Sequence, residues 1–197
     1  MSDYRSALQI EILNAKDAFA RWHVIRAAGA TRDISAVDDL LAVLESPAPD
    51  LGDTDERAIA AWALGRIGLA AFLGRIPKEG DRYGRSSLHR AGIVAALGET
   101  RAPDAVDPLV AILKSDGDRD VWLNGTLALA KTGETALPRI MELSTNVPLE
   151  HRLLLLDAIH KIGGDVGQEH FSMLLKTLDK EELRLSADFL TRYMATK

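Results

Sequence analysis

Residues 29–46 read "GATRDISAVDDLLAVLES", and residues 98–115 of the same chain read "GETRAPDAVDPLVAILKS". Aligned without a gap, the two stretches are identical at ten of eighteen positions. Near-repetition within one chain is typical of folds that stack one supersecondary unit on the next, because each unit must offer its neighbour an equivalent surface. The pair therefore predicts a repeat architecture.

A nine-residue apolar segment recurs five times and gives the length of the unit. The segments are "RWHVIRAAG" (21–29), "RAIAAWALG" (57–65), "RAGIVAALG" (90–98), "WLNGTLALA" (122–130) and "RLLLLDAIH" (152–160). Their last residues are 36, 33, 32 and 30 positions apart. A segment that is apolar on nearly all sides is typical of a helix packed between neighbours. We number the places of each segment from its first residue, so that Arg21 occupies place one.

A second helical pattern precedes these segments. In residues 36–45 the apolar side chains fall at i, i+3, i+4 and i+7, and residues 105–114 repeat that stripe. Ser35 and Asp104 stand at the expected N-caps, each three residues before an acid. Further first helices are expected over residues 69–77, 136–144 and 167–178. Each unit is thus predicted to be a hairpin of two helices, and the fold class to be all-α.

Composition excludes several classes of site and partner. The 197 residues include no cysteine, which removes disulfides, thiol nucleophiles and cysteine-based metal sites. The net charge of −5 argues against a dedicated nucleic-acid binder. The N-terminus lacks the apolar core of a signal peptide, and no stretch approaches the roughly 18 apolar residues of a membrane span. We therefore expect a cytoplasmic protein that does not enter a membrane.

The repeat resembles the HEAT-repeat family, in particular its short bacterial form, the PBS-lyase HEAT-like repeat. The likeness is carried by "DERAIAAWALGRIG" (55–68), similar to a second helix, and by "AVDPLVAILKSDGDRDV" (105–121), similar to a first helix and its acidic turn. The resemblance implies an α-solenoid, a superhelix of about six helical hairpins. It implies a single domain over 1–197, with the best-defined repeats at 16–165 and a C-terminal capping repeat at 166–197.

The resemblance also assigns a role to the arginine at place one. In such folds this arginine bonds to acids and carbonyls between adjacent repeats. Carried over, that structural role falls on Arg21, Arg57, Arg90 and Arg152. Trp122 departs from the pattern, so an interruption of the row is expected there.

The family alignment implies that places six and ten of the second helices face outward, on the concave side where solenoids bind partners. The residues expected to bind a protein partner are Arg26, Trp62, Arg66, Lys131, Asp157 and Lys161. Trp62 keeps two interpretations, an anchor for the partner or a core side chain. Two charged connections, 46–55 and 77–87, are expected at one edge, where Arg82, Tyr83 and Arg85 complete the binding set.

The partner itself is not identified by the sequence. The second-helix segments sum to a charge of +4 and the first-helix segments to −3. A slightly basic inner layer on an acidic protein indicates an acidic peptide or protein surface as the partner.

Catalytic chemistry is not indicated by any motif. The chain has no "GxSxG", and its five histidines are scattered. Glu150–His151 and Glu169–His170 reverse the His-Glu order that the HEAT-like metal enzyme deoxyhypusine hydroxylase uses. We therefore predict no catalytic residue, no metal and no cofactor, and a scaffold or adaptor rather than an enzyme. The resemblance leaves one alternative, a phycobilin-lyase-like enzyme or accessory subunit acting on a chromophore or a chromophore-carrying protein.

Overall fold

The computed structural model describes residues 11–12, 17–45, 53–75, 87–187 and 191, with the backbone alone at 53–55, 75, 87 and 88. All regular structure in these ranges is helical and they contain no strand, so the all-α prediction is confirmed. No helix in the same ranges has the length and apolar character needed to cross a membrane.

The helices alternate between two kinds, as the two sequence patterns predict. In chain order they are α1 (Ala18–Thr31), α2 (Val37–Glu45), α3 (Asp53–Ile67), α4 (Leu69–Phe72), α5 (Ser87–Thr100), α6 (Val106–Ser115), α7 (Arg119–Thr132), α8 (Leu137–Ser144), α9 (Leu149–Ile162), α10 (Gly164–Leu175) and α11 (Lys180–Leu185). The odd-numbered helices α1 to α9 contain the five apolar segments and are called second helices below. The even-numbered helices are the first helices.

The second helices pack side by side in the order of the chain, α1 on α3, α3 on α5, α5 on α7 and α7 on α9. The inner helices α3, α5 and α7 are therefore each enclosed by two second helices. In α5 no residue from His89 to Thr100 is exposed. The first helices are amphipathic instead, and α6 buries Val106, Leu109, Val110 and Leu113 as the stripe predicts.

Small residues at places seven and nine allow the second helices to approach closely. A Cβ built on Gly29 in α1 would lie 2.7 Å from the Cα of Ala63 in α3. One built on Gly98 in α5 would lie 2.6 Å from the Cα of Ala128 in α7. Because these neighbours are backbone atoms, a side chain cannot be accommodated at either glycine without moving a helix.

The starts of the first helices differ from the predicted capping. Ser35 and Asp104 do not cap α2 and α6, because each lies inside a 3-10 turn, Ile34–Ala36 or Pro103–Ala105, that leads into the helix. The first of these turns is capped by Asp33, which accepts hydrogen bonds from the backbone N–H and the hydroxyl of Ser35 at 2.9 and 2.6 Å. The capping prediction was therefore wrong by one or two residues.

Several predicted boundaries also move. The helix expected over 69–77 ends as α4 at Phe72 and continues as a 3-10 turn, Leu73–Arg75. The one expected over 167–178 begins earlier, since Gly163 and Gly164 adopt positive φ of 69° and 67° and α10 starts there. Helix α3 already begins at Asp53 and α5 at Ser87, so residues 53–55 and 87 of the predicted connections 46–55 and 77–87 are helical.

The place-one arginines Arg21, Arg90 and Arg152 connect their second helices to acids that follow in the chain. Arg21 donates to Glu56 at 2.8 Å, at the start of the next second helix. Arg90 donates twice to the nearly buried carboxylate of Asp116, and Arg152 pairs with Glu182 in α11. Arg57 is half-buried within α3. These contacts agree with the structural role that the resemblance implies.

Candidate protein-binding surface

Places six and ten of the second helices form two parallel rows that remain accessible. Place six holds Arg26, Trp62, Ala95, Leu127 and Asp157, and place ten holds Ala30, Arg66, Glu99, Lys131 and Lys161. None of these ten residues is buried. By contrast, places five and eight are buried in all five helices. We call the surface made by these two rows the second-helix face.

The two lysines of this face are paired with acids. Lys131 in α7 forms an ion pair with Glu99 in α5, and Lys161 pairs with Asp157 one turn before it in α9. The first pair links neighbouring units, whereas the second lies within one helix. Lys131, Asp157 and Lys161 thus keep their predicted exposure, but their charges are largely neutralised locally.

Helices α5 and α6 combine the features that define one unit of this array: a place-one arginine, a buried apolar segment, a glycine at the close approach, and an amphipathic first helix. Residues 90–115 match the PBS lyase HEAT-like repeat. No curated protein matches the chain. The matched HEAT-like repeat includes residues 98–115, the stretch of which residues 29–46 are a near copy.

An exposed cluster of aromatic side chains lies at the N-terminal end of the second-helix face. Phe19 is 71 % exposed, and its ring meets His23 edge-on with centroids 4.3 Å apart. His23 in turn meets Trp22 edge-on at 5.1 Å, and Arg26 lies over the Trp22 ring at 5.2 Å. Sequence reasoning named only Arg26, although the i, i+3, i+4, i+7 spacing of "FARWHVIR" (19–26) already places all four on one helix side.

Trp62 combines its two predicted interpretations. The side chain is partly buried and packs against the core, with the ring atom Cζ3 directly above Gly29 of α1. The residue nevertheless stays partly accessible on the second-helix face. Trp62 therefore packs against the core and remains partly accessible.

The predicted edge residues Arg82, Tyr83 and Arg85 lie outside the described residues, as do most of the connections 46–55 and 77–87. The turns between α6 and α7 and between α8 and α9 enclose a pocket of about 410 Å³. Its lining includes Lys114, Asp116, Trp122, Glu142, Asn146 and His151.

The floor of this pocket is a stacked pair of rings. Trp122 is 1 % exposed, and its ring lies parallel to that of His151, with centroids 3.8 Å apart and planes inclined by 9°. The indole Nε1–H donates to the carbonyl oxygen of Asp116 at 2.7 Å. At place one of α7, Trp122 thus takes the position that arginine occupies in the other second helices, and it stacks on a ring instead of forming an ion pair. This is the interruption that the sequence predicts.

Two ionisable groups of the pocket have shifted pKa values. The hydrogen bond from Lys114 to Glu142, 3.0 Å long, lowers the pKa of that carboxyl, and the charge of Arg139 lowers it further. Burial lowers the pKa of His151 below 6.5, against the opposing charge of Glu150. The imidazole of His151 is therefore neutral near pH 7.

The shift of His151 predicts a pH-dependent stability. Because the folded-state pKa is depressed, the unfolded chain takes up the proton first, and the contribution of His151 is complete only above about pH 6.5. As the pH falls from 6.5 towards the folded-state pKa, the free energy of unfolding should decrease. His151→Phe retains a ring against Trp122 and removes the titration. Between pH 7.5 and 5.5, urea denaturation should show a smaller decrease in the free energy of unfolding for His151→Phe than for the unmodified chain. An equal decrease in both would contradict this assignment.

The histidine–glutamate pairs do not form a metal site. Glu150 pairs with Arg119 at 3.3 Å while His151 stacks on Trp122. His170 bonds through Nδ1 to the carbonyl oxygen of Val166 at 2.8 Å. Across the described ranges, no three histidine, aspartate or glutamate side chains converge as metal ligands would.

Proposed function

We propose that the chain is an α-solenoid of about six HEAT-like hairpins that acts as a non-catalytic scaffold or adaptor. In this proposal the second-helix face is the concave surface of the superhelix, and it binds a protein partner. A stacked array whose units each present the same places to solvent is suited to binding an extended surface of another protein.

The observation that carries the proposal is the exposure of places six and ten in five successive helices, in register. Between the charged residues this face offers apolar area, since Ala95 and Leu127 are partly accessible. Leu123, one turn before Leu127 in α7, is 40 % exposed and extends this apolar area. Partly exposed Trp62 and exposed Arg66 add residue types that are enriched in binding hot spots. A polar catalytic constellation would need convergent titratable groups, and the two rows contain separate ion pairs instead.

The proposal is tested by capturing partners from a host extract on the immobilised chain. Trp62→Ala combined with Arg66→Glu should reduce the captured amount of the principal partner at least about tenfold, because it removes two hot-spot side chains and reverses one charge. Quantitative mass spectrometry of the retained proteins provides the measurement, and circular dichroism checks that the variant stays helical.

The matched control lies on a first helix. Met173→Ala with Lys176→Glu changes one 48 % exposed apolar side chain and one exposed cation at the end of α10. This variant should capture the same partners in unchanged amounts. If it loses them and the second-helix variant does not, the binding face has been assigned to the wrong side of the array.

The edge that carries Arg82, Tyr83 and Arg85 is part of the same proposal. Its position is inferred from the turns of the neighbouring units, which join a first helix to a second helix in the same way and line the pocket at Trp122. A partner lying along the second-helix face would reach this edge at one side.

A further inference from the structure

We propose that the N-terminal end of the second-helix face binds an acidic segment of the partner protein that also supplies an aromatic or branched apolar side chain. This inference rests on the proposed function and names the chemistry of the partner. The surface is the aromatic–arginine patch, defined as Phe19, Trp22, His23 and Arg26 of α1 with Trp62 and Arg66 of α3.

The exposed rings of the patch provide the apolar part of the site. Phe19 has 71 % of its surface exposed, although it belongs to the most readily buried class of side chain. Edge-to-face contacts join it through His23 to Trp22, so the three rings form one continuous aromatic surface. Such a surface, open to water at the end of a close-packed array, is typical of a contact site for another molecule.

The arginines of the patch provide an uncompensated positive charge. Arg26 stacks over Trp22 at 5.2 Å, and Arg66 is exposed in the last turn of α3. Neither guanidinium has an ion-pair partner in the part of the chain that the structure describes. The nearby Arg21 differs, because Glu56 neutralises it. At the other end of the face Lys131 and Lys161 are also neutralised.

Packing brings the two halves of the patch together. The Cζ3 atom of Trp62 lies over Gly29, which is three residues after Arg26 in α1. The Trp62 ring therefore adjoins the turn of α1 that follows Arg26, and Arg66 follows Trp62 by one turn. Two cations thus lie beside aromatic side chains on two adjacent helices.

A segment with carboxylates and an apolar anchor is complementary to this arrangement. Guanidinium groups that stack on rings bind carboxylates bidentately, and the aromatic surface can bury a hydrophobic side chain. A nucleic acid would need a basic track along the face, because phosphate contacts supply most of that affinity. Beyond Arg66 the face carries Glu99 and Asp157 beside each lysine, and the net charge of the chain is −5. The observations therefore favour an acidic protein segment.

The test is a selection of random 12-residue peptides displayed on phage against the full-length chain at physiological salt. Recovered peptides should be enriched in Asp and Glu together with Phe, Trp or Leu. A fluorescein-labelled synthetic peptide of the selected sequence then gives the affinity by anisotropy. Arg26→Ala with Arg66→Ala should weaken its binding at least about tenfold, and rising salt should weaken it further.

The matched control is Lys176→Ala with Lys180→Ala, which removes two exposed cations outside the second-helix face. It should change the affinity less than about twofold, because neither cation belongs to that face. Neutral or basic selected peptides, or acidic ones that respond to the lysine variant alone, would overturn the inference and leave the scaffold proposal standing. A selection that enriches no peptide would count against both. Salt-sensitive binding of a labelled single-stranded 20-mer oligonucleotide, without peptide binding, would replace the acidic segment by a nucleic acid.

Discussion

Replacing Trp122 by alanine is expected to lower the free energy of unfolding by about 3–5 kcal/mol, the range for truncating a buried indole. The side chain is 1 % exposed, stacks on His151 and donates its N–H to the Asp116 carbonyl. Alanine would leave a cavity at the junction of two units and an unsatisfied carbonyl group. In urea denaturation followed by circular dichroism, the midpoint should fall with little change in slope.

Two variants separate the contributions of Trp122. Trp122→Phe keeps a ring against His151 but loses the 2.7 Å hydrogen bond, so it should cost about 1–2 kcal/mol. Trp22→Ala makes the same truncation at a partly accessible ring and should cost less than Trp122→Ala. If Trp122→Ala and Trp22→Ala lower the free energy of unfolding equally, burial does not determine how much Trp122 contributes to stability.

The positions of the second helices along the chain were predictable because they follow from local patterns. The apolar segments give the register of all five second helices, and segments 122–130 and 152–160 fall wholly within α7 and α9. What failed were the helix caps and several helix ends, such as that of α4, which stops at Phe72 rather than at residue 77. The choice between Ser35 and Asp33 as the cap depends on a 3-10 turn whose formation a capping pattern does not indicate.

The candidate surface was only partly predictable. Place numbering identified which residues stay accessible, since exposure repeats with the unit. It did not identify their partners: Lys131 meets Glu99 thirty-two residues earlier, and only the packing of α5 against α7 brings the two together. The exposure of Phe19 was not predicted, because this residue precedes place one and lies outside the repeated segment.

The helix contacts also explain why the second-helix face is regular. The place-nine residues of α1 and α5 permit backbone approach to place seven of the following helix, which fixes the spacing of successive second helices. Places six and ten are four residues apart, so they share one side of each second helix. Side chains there are held in register by the backbone contact and remain free to vary in chemistry along the array.

This explanation makes Gly98 a position where an added methyl group should be costly. Gly98→Ala should lower the free energy of unfolding by about 2–3 kcal/mol, as overpacking at a backbone contact does. The added Cβ would lie 2.6 Å from both the Cα and the Cβ of Ala128, so α5 and α7 must separate. The loss should appear although alanine is the better helix former by about 1 kcal/mol.

Gly92→Ala provides the control within the same helix. Its new Cβ would meet the flexible end of Leu44, with Cδ2 at 3.0 Å, rather than backbone. Leu44 can rotate away, and the gain in helix propensity offsets the remaining crowding, so the free energy of unfolding should change by less than about 1 kcal/mol. Chemical denaturation of both variants under one condition measures the difference. If Gly98→Ala is as well tolerated as Gly92→Ala, close backbone approach does not fix the spacing of the second helices. The register of the second-helix face would then have to come from the arginine ion pairs.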